Sequence, residues 1–173
     1  MVATYRLNPV DIDRIIRSKP DWMNASLGRR VVSLRGNSTW KGQPVIDTVR
    51  VKLRDGITRV SVNQAMAASW RLNGNQERNR FVFGDQAGAI TKRTNSVIDF
   101  GNDDVRDVLV FTNNVPGKPF NHAQRFKIKN FGREDRIVLR NIGRSFSFKD
   151  IRPDGSLPGV PRLSFQITSF ADL

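Results

Sequence analysis

The sequence contains no cysteine, a single histidine and no long apolar run. A chain without thiols forms no disulfides and offers neither thiolate metal ligands nor a cysteine nucleophile. No stretch approaches the roughly 18 consecutive apolar residues of a membrane-spanning helix. Residues 1–22 also lack the apolar core of a secretory signal peptide. We therefore expect no signal peptide and no membrane partner, and a location in the cytoplasm of the producing cell or in a particle assembled there.

Motifs that carry catalysis are also missing. The chain has neither the G-x-x-x-x-G-K-[ST] loop nor the G-x-G-x-x-G turn that holds nucleotide phosphates. His122 has no serine or carboxylate at a spacing typical of a catalytic set, so we expect a surface residue. Glu134 and Asp135 are adjacent, and adjacent side chains of a strand point to opposite faces. The sequence thus predicts a protein that is not an enzyme, with no cofactor and no small-molecule substrate.

Negative charge is scarce relative to positive charge. The 29 Lys and Arg residues outnumber the 16 Asp and Glu residues, which gives a formal net charge of +13. Arginine supplies 21 of the basic residues, and residues 1–95 hold 17 basic against 7 acidic side chains. Such an excess is self-repulsive in the folded state, and arginine matches carboxylates and phosphates with paired hydrogen bonds. We expect a partner that supplies negative charge.

The apolar pattern predicts a mainly β protein. In the second half, apolar segments alternate with turn residues, and the predicted strands are residues 96–100, 108–111, 125–128, 136–139, 146–148 and 163–168. In the first half, Asn8 and Pro9 favour the start of a helix over residues 8–17. We expect a short-stranded antiparallel sandwich, barrel or roll with one short N-terminal helix and no strict internal repeat. Residues 1–95 form a basic part and residues 96–173 a β-rich part, in one compact domain or two small, tightly packed ones.

The strongest local signal is a β-hairpin over residues 48–63. Asp55-Gly56 is a favoured two-residue hairpin turn, and the flanking residues alternate between apolar and basic. The predicted inner face consists of Val49, Val51, Leu53, Val60 and Val62. The predicted outer face is a basic ribbon of Arg50, Lys52, Arg54 and Arg59, which Arg29, Arg30, Arg78 and Arg80 extend. Lys52 is expected directly across from Arg59. The ribbon is the predicted partner-binding site, and the alternative is a solvated charged surface.

Residues 83–151 contain a succession of short motifs. They are N-S-V-I-D-F-G (95–101), D-V-L-V-F (107–111), I-K-N-F (128–131) and E-D-R-I-V-L (134–139). In this order they resemble terminal segments of bacterial repeat-in-toxin proteins, the hemolysin-type calcium-binding family. The resemblance implies a β architecture. Calcium binding in the parallel β-roll of that family uses tandem G-G-x-G-x-D-x-U-x nonapeptides, and no such nonapeptide occurs here.

Two further groups of residues are candidates for binding. One is the acidic cluster of Asp99, Asp103, Asp104 and Asp107. Clustered carboxylates offer the oxygen ligands that Ca2+ prefers, and the alternative is that they cap turns and pair with Arg106. No metal is predicted, and these four are the weak candidates. The other group is Trp22, Trp40 and Trp70, which either stack on nucleic acid bases or anchor the core.

Three functions remain open from the sequence. We favour a non-enzymatic structural or assembly protein, in particular a phage virion accessory protein. It would be capsid-associated or on the virion surface, and dock on an acidic protein lattice through its Arg-rich face. A nucleic-acid-binding module that uses the basic hairpin is the first alternative, and it predicts steep salt dependence. A secreted β-roll-like calcium-binding domain is the second alternative.

Overall fold

The computed structural model describes residues 3–7, 23–36, 47–53, 55–63, 68–84, 95–112 and 124–167. These residues form β-strands and two short 3-10 turns, Arg140–Ile142 and Phe148–Asp150. In chain order the strands are β1 (Ala3–Leu7), β2 (Met23–Leu27), β3 (Val31–Gly36), β4 (Asp47–Lys52), β5 (Arg59–Asn63), β6 (Ala68–Asn73), β7 (Arg80–Phe83), β8 (Asn95–Asp99), β9 (Val108–Phe111), β10 (Gln124–Lys129), β11 (Arg136–Leu139), β12 (Arg144–Phe146), β13 (Ser156–Leu157) and β14 (Val160–Ile167). No helix in this part of the chain is long and apolar enough to cross a membrane.

The strands form two mixed sheets in which most neighbours are parallel. Sheet 1 has the order β1-β4-β6-β8-β10-β14-β13, and sheet 2 has the order β12-β11-β9-β7-β5-β3-β2. From β4 to β11 each strand lies in the opposite sheet from the strand before it, so each coil of the chain contributes one strand to each sheet. Successive coils then stack as parallel strands, with β4 beside β6 and β5 beside β7. The architecture is a two-sheeted roll.

The core lies between the two sheets and is built from side chains that alternate along each strand. Equivalent residues of successive coils stack in register, namely Leu72, Ile98 and Ile128 in sheet 1 and Phe81, Leu109 and Ile137 in sheet 2. None of these six residues is more than 1% exposed. The rings of Phe83 and Phe111 stack with 5.6 Å between their centroids. Stacking of coils therefore produces one continuous apolar core between the sheets. A smaller apolar cluster of Val82, Val108 and Val110, with Val138 packed against it, lies on the other side of sheet 2.

The prediction of a mainly β protein is confirmed, and β9 and β11 begin and end at the predicted residues. The predicted antiparallel pairing is wrong for most of the sheet. Among the described strands, antiparallel pairs are confined to β2-β3, β11-β12 and β13-β14. Both sheets continue through the part of the chain around residue 95, since β8 pairs with β6 and β9 pairs with β7. The helix predicted over residues 8–17 lies outside the described residues.

The hairpin predicted over residues 48–63 does not form. Strand β4 pairs with β1 and β6 in sheet 1, whereas β5 pairs with β3 and β7 in sheet 2. Asp55 and Gly56 therefore lie at a corner where the chain crosses between the sheets, and Lys52 is not across from Arg59. The predicted inner face is nevertheless at most 2% exposed at Val51, Leu53, Val60 and Val62. Alternation along a strand does not depend on which strand is its neighbour. The side chain of Val49 and all of Arg54 lie outside the described part.

Four short corners carry the chain from sheet 1 to sheet 2, at residues 53–58, 74–79, 100–107 and 130–135. The last residues of these corners are Thr58, Asn79, Asp107 and Asp135. Backbone hydrogen bonds join consecutive corners. The N–H of Arg80 donates to the carbonyl of Thr58 at 2.8 Å, and the N–H of Val108 donates to the carbonyl of Asn79 at 3.0 Å. Equivalent corner residues are thus stacked along one edge of the roll.

Candidate anion-binding faces

The predicted basic ribbon is divided between the two sheets. Arg50 and Lys52 are exposed on the outer face of sheet 1, because they flank Val51, which points into the core. Arg59 is exposed on the outer face of sheet 2, next to the buried Val60. Since the core lies between the sheets, these predicted site residues lie on opposite sides of the molecule.

On sheet 2, two arginines are directly opposite each other. Arg59 is the first residue of β5 and Arg80 is the first residue of β7, and the two are paired in register. Neighbouring strands are about 4.8 Å apart, so the two side chains leave the sheet side by side. Like charges placed opposite each other destabilise a sheet. The pair is therefore unfavourable for the protein alone.

Two more arginines bring positive charge to this pair. The pKa of Arg80 is lowered, first by its partial burial and then by the charges of Arg140, Arg59 and Arg78. Arg78 precedes β7 and Arg140 follows β11, and both are exposed. We call these four residues the arginine cluster. The sequence singled out three of its members and missed Arg140, which is far from Arg80 along the chain and whose charge acts on Arg80 because the coils stack.

No acidic side chain of the described residues neutralises the arginine cluster. None of the four guanidinium groups has a hydrogen bond or an ion pair in that part of the chain. Arg30 lies beside the cluster, because its carbonyl accepts the N–H of Arg59 at 3.1 Å. The side chain of Arg30 does have a counter-ion, with 3.8 Å between its Nη2 and Oε2 of Glu77. Arg29 is exposed next to Arg30. Within the described part of the chain, the cluster thus concentrates hydrogen-bond donors that have no acceptor, which is the chemistry of an anion-binding site.

Sheet 1 presents a second pair, in which Arg50 and Arg71 are in register on β4 and β6. Partial burial, and next the charge of Arg50, lower the pKa of Arg71. One guanidinium N–H of Arg71 donates to the carbonyl of Trp70 at 3.3 Å. The exposed lysines of the same outer face are Lys52, Lys127 and Lys129. The two outer faces thus share one feature, a pair of arginines on adjacent strands.

A common spacing relates the two pairs. The separation along the chain from Arg50 to Arg71 equals the separation from Arg59 to Arg80. The coil that contains β6 and β7 therefore repeats the arginine positions of the coil that contains β4 and β5, with one arginine on each outer face. This spacing is the sequence signal that identifies the pairs, and a hairpin prediction obscures it.

Two members of the stacked corner residues are buried carboxylates. Asp107 is 1% exposed and accepts the backbone N–H of Asn79 at 2.6 Å. The backbone N–H of Asp107 in turn donates to Oδ1 of Asp135 at 2.7 Å. Burial raises the pKa of Asp107 to about 8, and the charge of Asp135 also raises it. Burial likewise raises the pKa of Asp135. These side chains join one coil to the next and hold the corners in position.

Two of the other predicted acidic candidates hold corner residues in place, Asp99 in the corner of the next coil and Asp103 within its own corner. Asp99 accepts a side-chain N–H of Asn130 at 2.7 Å, and Asp103 accepts the backbone N–H of Val105 at 2.9 Å. Asp104 is exposed. Among the described residues, no group of three or more His, Cys, Asp or Glu side chains is arranged to hold a metal ion. The positions of the four aspartates fit the alternative that they stabilise turns.

The described surface offers little apolar material. Trp70 is 3% exposed and belongs to the core, where it anchors rather than stacks on a ligand. Among the side chains that the structure describes, Val105 is the only large apolar one that is exposed, at 38%. Trp22, Trp40 and His122 lie outside those ranges. The accessible chemistry of the described faces is therefore that of charged and polar groups.

No family model matches this chain, and no curated protein or solved structure matches it. The resemblance of residues 83–151 to repeat-in-toxin segments accordingly stays a prediction.

Proposed function

We propose that this chain is a non-enzymatic structural protein that docks on an anionic partner through the arginines of its outer faces. The observation that supports this most directly is the arginine cluster, which joins four positive side chains without an acidic neighbour in the described residues. Opposed like charges lower the stability of the free protein. A partner that supplies carboxylates or phosphates removes that repulsion and accepts the unused hydrogen bonds.

An acidic protein lattice is the partner favoured by the sequence, and a virion accessory role is its narrower form. Both are proposals. Arginine forms bidentate pairs with carboxylates, and the parallel ladder fixes the spacing between Arg59 and Arg80. A rigid pair of this kind suits a partner that presents carboxylates at a fixed spacing, as repeated subunits do.

Nucleic acid is a second candidate, which the composition of the described surface favours. Protein interfaces are anchored by aromatic and other apolar side chains near their centre. Of the side chains that the structure describes, one large apolar side chain, that of Val105, is exposed. Contacts with a phosphate backbone need positive charge and hydrogen-bond donors and no apolar anchor.

The test compares binding of two polyanions by the full-length chain. Fluorescein-labelled poly-glutamate and a labelled 30-base-pair DNA duplex serve as probes in anisotropy titrations from 50 to 300 mM NaCl. In the variant Arg59→Gln/Arg80→Gln we expect a loss of affinity of about three- to tenfold for whichever probe the wild-type protein binds. Each lost phosphate contact also lowers the salt slope by about 1.

A matched control distinguishes binding at the arginine cluster from binding that depends only on net charge. Lys149→Gln/Arg152→Gln removes the same charge from two exposed residues that are outside the cluster. We expect less than a threefold loss of affinity in this control. An equal loss in both variants means that binding follows net charge alone, and a wild-type protein that binds neither probe at 50 mM NaCl contradicts the proposed function.

A further inference from the structure

The two arginine pairs lie on opposite outer faces of the roll. Arg50 and Arg71 leave sheet 1 on one side, and Arg59 and Arg80 leave sheet 2 on the other. The residues between them along the strands, such as Val51, Leu72, Val60 and Phe81, belong to the shared core. Packed sheets are about 10 Å apart. A rigid partner that lies on one face therefore does not reach the other.

Each outer face carries enough positive charge to act by itself. On the sheet 1 side, three exposed lysines accompany the arginine pair, and in the described residues none of the three has an ion pair. On the sheet 2 side, Arg78 and Arg140 accompany the pair, and the neighbouring part of this outer face is formed by the buried Val82, Val108 and Val110. Most of the described acidic side chains near these strands lie at the corners, as Glu134 does, and one, Asp99, ends β8 in register with Lys129. Two separate positive faces with an acidic edge between them favour two separate contacts.

We propose that the protein bridges two segments of double-stranded nucleic acid, with one segment bound to each outer face. This inference rests on the proposed function and extends it from binding to cross-linking. Phosphate is the favoured anion because guanidinium pairs match it and because backbone contacts need no apolar anchor. A duplex is favoured over a single strand, because single strands are held by stacking on exposed aromatic rings. Among the side chains that the structure describes, no aromatic ring is more than partly exposed.

The two faces predict a distinctive dependence on protein concentration. With duplex in excess, each protein molecule binds two duplexes and links them. With protein in large excess, each duplex is covered by separate molecules and the links are lost. A protein with a single binding face gives no linked complexes at any ratio.

The experiment uses the full-length chain and two 30-base-pair duplexes, one with a donor and one with an acceptor fluorophore. Energy transfer between the duplexes reports bridging, and anisotropy reports binding. The face variants are Arg50→Gln/Arg71→Gln and Arg59→Gln/Arg80→Gln. We expect each to lose at least fivefold in the transfer signal while it still binds duplex within about tenfold of wild type.

A second set of variants guards against misfolding, because Arg71 and Arg80 are half-buried. Arg50→Gln/Lys52→Gln and Arg59→Gln/Arg78→Gln change exposed residues only, and thermal melts confirm that they fold. We expect the same loss of transfer with duplex binding retained. Light scattering of the free protein establishes its oligomeric state, and single-face variants that still bridge, whether monomer or dimer, overturn the inference.

The other outcomes separate this inference from the proposed function. A wild-type protein that binds duplex without energy transfer at any ratio contradicts bridging and leaves anion docking intact. Binding of poly-glutamate but not of duplex overturns nucleic acid as the partner and supports an acidic protein. Binding of neither probe contradicts both proposals.

Discussion

Arg59 and Arg80 are paired in register at the start of adjacent parallel strands, with no acidic counter-ion among the described residues. Cross-strand pairs of like charge destabilise a sheet, with pair energies of about 0.2–1 kcal/mol. The ladder hydrogen bonds prevent the two strands from moving apart. The repulsion between the two arginines therefore lowers the stability of the free protein.

Neutralising one member of this pair stabilises the free protein. We expect Arg80→Gln to raise the free energy of unfolding by about 0.2–1 kcal/mol at 10 mM NaCl. The gain shrinks at 1 M NaCl, where the screening length is about 3 Å. Urea denaturation at both salt concentrations measures it, with Arg152→Gln as the control for net charge. A loss of stability in Arg80→Gln that does not depend on salt shows that Arg80 acts through packing.

The buried Asp107 makes stability depend on pH. Its pKa is about 8 in the folded protein and about 4 when unfolded. Between these values the folded state binds more protons than the unfolded state, so the free energy of unfolding falls as pH rises from about 4 to 8. In Asp107→Asn this contribution is absent, and Oδ1 of the amide still accepts the N–H of Asn79. We expect the variant to gain stability relative to wild type as pH rises.

Thermal melts of both proteins from pH 4 to pH 8 measure this difference. Their comparison isolates Asp107, because all other titrating groups are common to both chains, including Asp103 and Asp135, which act on Asp107. Asn79→Asp provides the reciprocal test, since it places a carboxylate against Asp107. We expect it to lose stability most at pH 8. Parallel pH profiles for wild type and Asp107→Asn contradict a buried proton at this position.

Gly155 lies where only glycine fits. Its φ is +81°, and a Cβ there would collide with the carbonyl of Phe165, whose N–H donates to the Gly155 carbonyl at 2.7 Å. We expect Gly155→Ala to lose at least about 4 kcal/mol of unfolding free energy. Gly143 is the matched control, since its φ is +64° and a Cβ there meets nothing within 4 Å. Gly143→Ala is expected to lose only about 1–2 kcal/mol, from the left-handed backbone. Equal losses in chemical denaturation show that backbone conformation, not the collision, decides.

Ser96 supplies a hydrogen bond inside the core. It is 1% exposed, and its Oγ accepts the backbone N–H of Trp70 at 3.2 Å. We expect Ser96→Ala to cost about 1–3 kcal/mol in urea denaturation, because it leaves that buried donor without its acceptor. Ser145→Ala, at an exposed position of β12, is the control and should change stability by less than about 0.5 kcal/mol. Comparable losses in both variants contradict this role of Ser96.

Local sequence patterns predicted the strands and their inward faces. Strands β9 and β11 have the predicted bounds, and Val51 and Val60 are buried as expected. Both features follow from alternation within a single strand, which needs no knowledge of its neighbours. The pairing was wrong because Asp55-Gly56 suits a hairpin turn and a corner between sheets equally well. The choice between them depends on partners in the neighbouring coils, such as β6 for β4.

The candidate site was predictable in part. The sequence identified Arg59, Arg78 and Arg80 from charge alone, but it placed Arg59 on the same face as Arg50. A search for equal spacings between arginines would have found both pairs. No equal spacing identifies Arg140, because the later coils contain more residues than the coil between Arg59 and Arg80. Residues in register are further apart along the chain from Arg80 to Val108 than from Arg59 to Arg80.

The edge strands β12 and β13 prevent further chains from adding strands to this end of the roll. Sheet 2 ends in the three residues of β12 and sheet 1 in the two residues of β13, and both run against the strands they cover. Very short edge strands give another chain little to pair with. Growth by templated addition of coils is thereby blocked at this end. At this end, the number of stacked arginine pairs therefore does not rise with protein concentration.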